Sequence, residues 1–143
     1  MRNVRALARR FVEGLFDPTE PIDDVVAPHV VLHAWPWISS GKAGLHEARQ
    51  ALAHSWASQV VDVHETLQAG DRVILRVTEH GVHAGQWQGI EPTDRPVAAR
   101  AIHIVRVIDD HVVEHWRESN DLTRLHQLDN EIPPPINQNP GEQ

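Results

Sequence analysis

The chain has 143 residues, no cysteine and a formal net charge of −7 at pH 7. That length suits one domain with a core able to form without disulfides or a structural metal, and the lack of cysteine excludes thiolate catalysis and Cys-based metal centres while fitting a cytoplasmic location. The acidic balance argues against nucleic-acid or membrane partners, no apolar run is long enough to span a bilayer, and the Arg-rich start lacks the apolar core of a signal peptide.

In chain order, Val4, Leu7, Ala8, Phe11, Val12 and Leu15 recur every three or four residues and predict a helix over 2–16, stopped by "DPTEP" at 17–21. "PHVVLHAWPW" at 28–37 reads as a strand running into a Trp- and Pro-rich loop. Residues 39–58 read as a second helix, with Leu45, Ala48, Leu52 and Trp56 on one stripe and Ser39, Ser40 or Gly41 near its start. From Val60 the period changes to two, giving β-rich segments at 60–70, 71–85, 95–108 and 111–119, separated by turn signals at Gly70–Asp71, "GIEPTDRP" and Asp109–Asp110. "LTRLHQL" then has the pattern of a short amphipathic helix. Helices before strands, without βαβ alternation, indicate an α+β fold in which helices cover one face of a mostly antiparallel, curved sheet. The expected organisation is one domain over 1–130 and a polar, Pro-rich tail over 131–143.

"GDRV" at 70–73, "GVHAGQWQGIEPTDRPV" at 81–97, "IHIVRV" at 102–107, "VVEHW" at 112–116 and "DL" leading to Leu128, with "HVVLHAWPW" and "GKAGLHEA" before them, together resemble the SnoaL-like polyketide cyclase family, within the nuclear-transport-factor-2-like superfamily. The likeness covers roughly residues 5–129 and implies a cone-shaped α+β fold: N-terminal helices packed on a strongly curved sheet that encloses a pocket. It also implies a small hydrophobic or partly polar ligand, no metal or organic cofactor, and a homodimer or homotetramer formed through the convex face of the sheet. The fold alone does not fix the reaction.

The family's cyclases, as the resemblance implies, close a ring by intramolecular aldol chemistry. An aspartate near the end of the last strand takes the proton while neighbouring polar side chains bond the enolate oxygen, which calls for a carboxylate in a mostly apolar cavity beside an oxyanion donor. In the family pattern that aspartate stands seven residues before a glutamine; counting back from Gln127 reaches Asn120, a neutral amide that can orient or polarise a substrate oxygen but cannot act as a base. A one-residue bulge at the strand end would present Asp121 instead, and Asp121 or Asn120 could equally cap the helix that follows. His103 shares a strand face with Ala99, Ala101, Val105 and Val107, where the small alanines leave room for it to act in catalysis, as donor to a ligand carbonyl or as general acid/base, or to be satisfied within the core. Glu79 ends the apolar row Val73, Leu75, Val77 and is either a substitute base or the partner of an arginine such as Arg100.

His33, Trp35 and Trp37 are assigned to the pocket mouth, with Trp56 as a further pocket residue, whereas Trp87 and Trp116 are assigned structural roles. The pairs His29/His33, His80/His83 and His111/His115 fall on strands, and His46 and His54 stand two helical turns apart, so no metal site is expected. Two classes remain open. One is an enzyme doing acid/base ring closure or isomerisation on a polyketide-like intermediate, or, as in the limonene epoxide hydrolase branch of the superfamily, orienting water or a hydroxyl for epoxide opening. That branch uses an Asp–Arg–Asp arrangement not evident in the sequence. The other is a non-catalytic ligand-binding or scaffold protein.

Overall fold

Asn3 opens the first helix, its Oδ1 accepting from the Arg5 and Ala6 amides at 3.0 and 3.2 Å, and α1 runs Val4–Leu15 with Leu7, Ala8, Phe11, Val12 and Leu15 buried as their spacing predicts. The structure is a computed structural model that describes residues 3–128; the expected tail at 131–143 lies outside the described residues. A 3-10 turn, Asp23–Val25, leads into β1, Val26–Leu32. Helix α2, Lys42–Ser55, begins after Gly41, whose φ of +88° lies in the region that favours glycine. Four strands follow: β2 Trp56–Ala69, β3 Arg72–His83, β4 Pro96–Ile108 and β5 His111–Ser119; α3, Asp121–Leu128, closes the described chain. Trp56 therefore starts β2 instead of ending α2, a correction to the expected helix over 39–58.

The sheet order is β1-β5-β4-β3-β2. Strands β2 to β5 form the expected antiparallel meander, and β1 joins its edge parallel to β5. The inner face carries Val73, Leu75 and Val77 of β3 and Ala99, Ala101, Val105 and Val107 of β4, all buried. Phe11, Val12 and Leu15 of α1 and Leu45 and Ala48 of α2 cover these residues, each large apolar side chain contributing about 1.5–3 kcal/mol on burial. Arg49 ties the two helices together: its Nε donates to the Gly14 carbonyl at 3.0 Å and its Nη2 to the Asp17 and Glu20 carbonyls, in the turn where α1 ends.

Two further contacts place α3 across the end of the sheet. The Gln127 side chain donates to the Ala98 carbonyl and accepts from the Ala98 amide, both at 2.9 Å, so it pairs with β4 as a strand would. Arg95 Nη1 donates to the Leu128 carbonyl at 3.0 Å, a cation at the helix C-terminus. Among the described residues no helix is long and apolar enough to cross a membrane.

Candidate active site

The inner face is not wholly apolar. Glu79 of β3, His103 of β4, His115 and Arg117 of β5 and Arg124 of α3 converge beneath α1, with Glu79 3% exposed, both histidines 0% and Arg124 6%. Glu79 and His103 reach toward each other over Ala99 and Ala101, the small residues that leave this space. Four donors fill the carboxylate. His103 Nε2 and Arg117 Nε bond Oε2 at 2.7 and 3.1 Å, while Arg117 Nη2 and Arg124 Nη2 each bond Oε1 at 2.6 Å. Behind them His103 Nδ1 and His115 Nε2 are 2.8 Å apart.

Electrostatics follow from this crowding. Burial by itself would raise the Glu79 carboxyl, but the His103 bond and the Arg117 guanidinium outweigh it and hold the group ionised, well below its ordinary value. Burial keeps His103 and His115 below the ordinary imidazole value. Arg117 moves the other way, because the charge of Glu79 outweighs the cost of burying the guanidinium.

Above this floor opens a cavity of about 210 Å³, walled by Trp35, Trp37, Leu52, Trp56 and Trp87 and bounded below by Arg117, Asp121 and Arg124. A water-sized recess of about 20 Å³ continues between Phe16, Glu79, Arg117 and Arg124. The 84–95 loop that carries Trp87 is pinned near both ends: the Thr93 amide donates to His83 Nδ1 at 3.2 Å, and Ser55 Oγ donates to the Gln86 carbonyl at 3.0 Å. Trp56 and Trp87 then meet with ring centroids 5.4 Å apart.

Asn120 and Asp121 occupy different surroundings. Pairing of β4 with β5 is regular from Arg106–Glu114 through Ala101–Ser119, so the strand end carries no bulge. Asn120 is exposed and caps α3, its Oδ1 accepting from the Thr123 amide at 3.1 Å. Asp121 reaches the cavity as the first residue of α3, about half exposed, with Oδ1 accepting from Ser119 Oγ at 2.9 Å and Arg124 Nη1 at 2.7 Å. Oδ2 accepts no hydrogen bond among the described residues.

The other expected positions divide. Trp35, Trp37 and Trp56 line the cavity and His103 lies at its floor, but behind Glu79 and out of reach of a ligand. His33 does not line it: the imidazole stacks on Trp116 at 4.9 Å and bonds Glu114 at 2.8 Å on the outer side of the sheet. Trp87, expected to be structural, is a wall of the cavity, whereas Trp116 stays on the outer face. The partner of Glu79 is not Arg100, which points outward opposite Thr78, but the pair Arg117 and Arg124. Sequence reasoning did not single out Arg117, Arg124 or His115. The available signal was the density of charge in "HWRESNDLTR", where an amphipathic helix and a half-buried strand should both have carried apolar residues inward. Among the described residues no three His, Asp or Glu side chains converge as a metal site requires.

Several known proteins share these features of fold. TsrD from Streptomyces laurentii superposes with a TM-score of 0.78 at 23% identity, over 87% of this chain and 93% of its own. IdmH from Streptomyces antibioticus, described as a polyketide cyclase candidate, gives 0.76 at 24% identity over 89% and 99%. AclR from Streptomyces galilaeus, described as a hydroxylase candidate, gives 0.75 at 24% identity over 91% and 97%. At these identities the likenesses establish the fold and not the reaction. No curated protein matches the sequence. The family model for SnoaL-like polyketide cyclase, however, matches residues 6–128, from the third residue of α1 to the last of α3. That span includes the whole sheet, the cavity walls and the buried charge cluster, and the chain belongs to the SnoaL-like polyketide cyclase family.

Proposed function

We propose that this protein is a cofactor-independent acid/base enzyme that closes a ring, or shifts a double bond, in a polyketide-like natural-product intermediate. Asp121 is the general base, and the guanidiniums of Arg117 and Arg124 face the oxygen on which negative charge develops. The observation that carries this reading is the setting of Asp121: one oxygen is fixed by Ser119 and Arg124, and the other is left without a partner on the cavity wall. In the ring closure, Oδ2 takes a proton from the activated carbon and the C–H electron pair becomes an enolate, stabilised by the guanidiniums. The enolate carbon attacks a second carbonyl of the same molecule. The alkoxide so formed takes the proton back from Asp121.

Of the two roles the sequence leaves open for Glu79, this assignment takes the partner of arginines and not the substitute base. With four donors on its two oxygens it serves as counter-ion to the arginines, and Asn120 serves as helix cap. The four tryptophan walls suit a flat, conjugated substrate. The outer face of the sheet, where Val31, Leu67 and Ile102 are exposed, is the proposed surface for a homodimer or homotetramer, and the cysteine-free sequence supports a cytoplasmic location.

Deuterium uptake at the activated carbon of an aryl β-ketoester tests the chemistry without knowledge of the natural substrate. Wild-type protein is expected to accelerate uptake, and Asp121→Asn to lower the rate by about 10²- to 10⁴-fold. A wild-type rate no higher than that of Asp121→Asn removes the reading.

One observation favours a second reaction. Arg124 bridges Glu79 and Asp121, at 2.6 and 2.7 Å, in a carboxylate–guanidinium–carboxylate series of the kind implied for epoxide opening. Incorporation of labelled oxygen from water into a diol, from an aryl epoxide and dependent on Asp121, would select it. Binding of an aryl ketone with turnover of neither substrate would place the chain among the family's non-catalytic members.

A further inference from the structure

We infer that His103 and His115 are positioning residues: the buried chain His115–His103–Glu79 fixes the Arg117 guanidinium in the attitude from which it meets the substrate oxygen, without either imidazole touching substrate. This rests on the reading of Arg117 as a donor to that oxygen.

The direction of the chain can be worked out from its ends. Glu79 carries two guanidiniums and is ionised, so it offers only acceptors and His103 Nε2 must hold the hydrogen of their 2.7 Å bond. If His103 is neutral, as burial favours, its Nδ1 is a bare lone pair and takes the hydrogen of His115 Nε2 across 2.8 Å. The last atom, His115 Nδ1, is then also bare, and it is the atom of this chain that finds no partner among the described residues. The reverse arrangement would leave a buried N–H pointing at nothing, a costlier orphan than a lone pair among the rings of Phe11 and Trp35. Every bond in the chain therefore points toward Glu79.

The effect is delivered at Oε2. That oxygen accepts from both His103 Nε2 and Arg117 Nε, so the imidazole and the guanidinium are held in one fixed relation. Arg117 donates through Nε and Nη2 to Glu79 and also lines the cavity, and its Nη1 makes no hydrogen bond among the described residues. Its plane is confined by Phe16 at 5.9 Å and Trp35 at 5.8 Å. Those two rings are also the neighbours of the chain, Phe16 meeting His103 edge-on at 6.0 Å and Trp35 meeting His115 at 5.9 Å. A shift of either imidazole is thus passed to the guanidinium both through hydrogen bonds and through the rings. Both histidines are 0% exposed and neither lines the cavity, which removes contact with substrate as an explanation for their presence.

The test compares His103→Leu with His103→Gln in the full-length protein. Leucine removes both links, whereas glutamine keeps a donor for Glu79 and an acceptor for His115. Two readouts are taken: solvent exchange of the Arg117 Nε–H by NMR, which needs no substrate, and kcat and KM for deuterium uptake by the β-ketoester. In His103→Leu, Nε–H exchange is expected to quicken by about 100-fold or more as the guanidinium loosens. kcat should fall by roughly 10- to 100-fold, the usual consequence of a misplaced group, with KM unchanged. His103→Gln should restore both. Nε–H exchange and kcat that are the same in His103→Leu as in wild type would overturn the inference, and so would equal losses in the leucine and glutamine variants. If His103→Leu fails to fold, His115→Phe cuts the outer link alone; faster Nε–H exchange there supports the chain and unchanged exchange overturns it. Should wild-type protein show no deuterium uptake, the proposed reaction fails, and the NMR readout still decides the positioning role by itself.

Discussion

The floor and the rim of the cavity each hold a carboxylate bonded to Arg124, and the two carboxylates are treated in opposite ways. Glu79 is 3% exposed and both its oxygens are filled by donors from three elements. Asp121 is 53% exposed and only one of its oxygens is engaged. A carboxylate surrounded by guanidiniums cannot take a proton usefully, since its protonated form would leave two buried cations facing a neutral group. A carboxylate held by one oxygen at a cavity wall can. The same residue chemistry thus yields a structural counter-ion at one depth and a candidate base a few ångströms away, and depth plus donor count is what separates them.

Breaking the floor should cost most. Glu79→Gln strands the buried Arg117 without its counter-ion and leaves Arg124 only the half-exposed Asp121, and a loss of about 3–5 kcal/mol is expected in urea denaturation. At the rim, Asp121→Asn removes a half-exposed, solvent-screened partner at the start of a helix, and its stability should stay within about 1 kcal/mol of wild type. Equal losses for the two substitutions would mean that the floor is hydrated and the contrast is false.

Acid should separate the floor from the rim in a second way. His103 and His115 are kept neutral by burial, so below pH 6.5 the unfolded chain binds protons that the folded chain refuses. Stability is therefore complete above that pH and falls beneath it, by up to about 1.4 kcal/mol per pH unit for each histidine. Glu79 adds its own loss below its ordinary value of 4.5, because its folded-state value is depressed and its stabilising charge is present only above the unfolded one. Urea midpoints from pH 8 to 4 check this. His115→Phe should flatten the upper part of the profile, and a profile with the same slope in both proteins would show that His115 does not titrate on unfolding.

How much of this was legible in the sequence depends on which regularity held locally. The inward row of β4, Ala99 to Val107, obeys a period of two without interruption, and His103 was found by it. On β5 the same rule fails. Arg106 pairs with Glu114 but Val107 with Val112, so Val113 is an extra residue, and the inward positions jump from Val112 to His115 and then to Arg117. A strict alternation from Val112 would turn His115 and Arg117 outward, so the pattern of β5 does not place either of them inside. Asp121 illustrates the opposite case. A bulge at the end of β5 would bring it inward, yet the helix start does so with no bulge, since the first residue of α3 lines the cavity while its neighbour caps. Arg124 follows from the same turn, three residues on. Pairings such as Glu79 with Arg117, 38 residues apart, depend on how three strands and a helix curve together, and no local pattern encodes them.

The capping role of Asn120 yields a smaller effect with a clear sign. Replacing it by alanine removes the bond to the Thr123 amide and should destabilise the protein by about 0.5–2 kcal/mol. Deuterium uptake should be unchanged, because the side chain is exposed and outside the cavity wall. A loss of activity as large as that of Asp121→Asn would return the reaction to the position where the family pattern expects its aspartate.

Two tryptophans of the cavity wall divide the labour most sharply, and one of them, Trp37, gives the smallest change in stability. Trp35 is 7% exposed, packs against His115 and shields Arg117, so Trp35→Ala opens the core and should cost about 3–5 kcal/mol. Trp37 stands on the same wall but is 75% exposed, leaving little packing to lose, and Trp37→Ala should lie within about 0.5 kcal/mol of wild type in thermal or urea unfolding. Its contribution is to a ligand: an exposed indole at a cavity mouth gains its contact area only when a flat molecule lies against it. Titration with an aryl β-ketoester should therefore show Trp37→Ala binding more weakly by roughly 1 kcal/mol, or about fivefold, with kcat little altered. Unchanged affinity would move the ligand deeper, toward Trp56 and Trp87, and would leave the exposed face of Trp37 to some contact other than substrate.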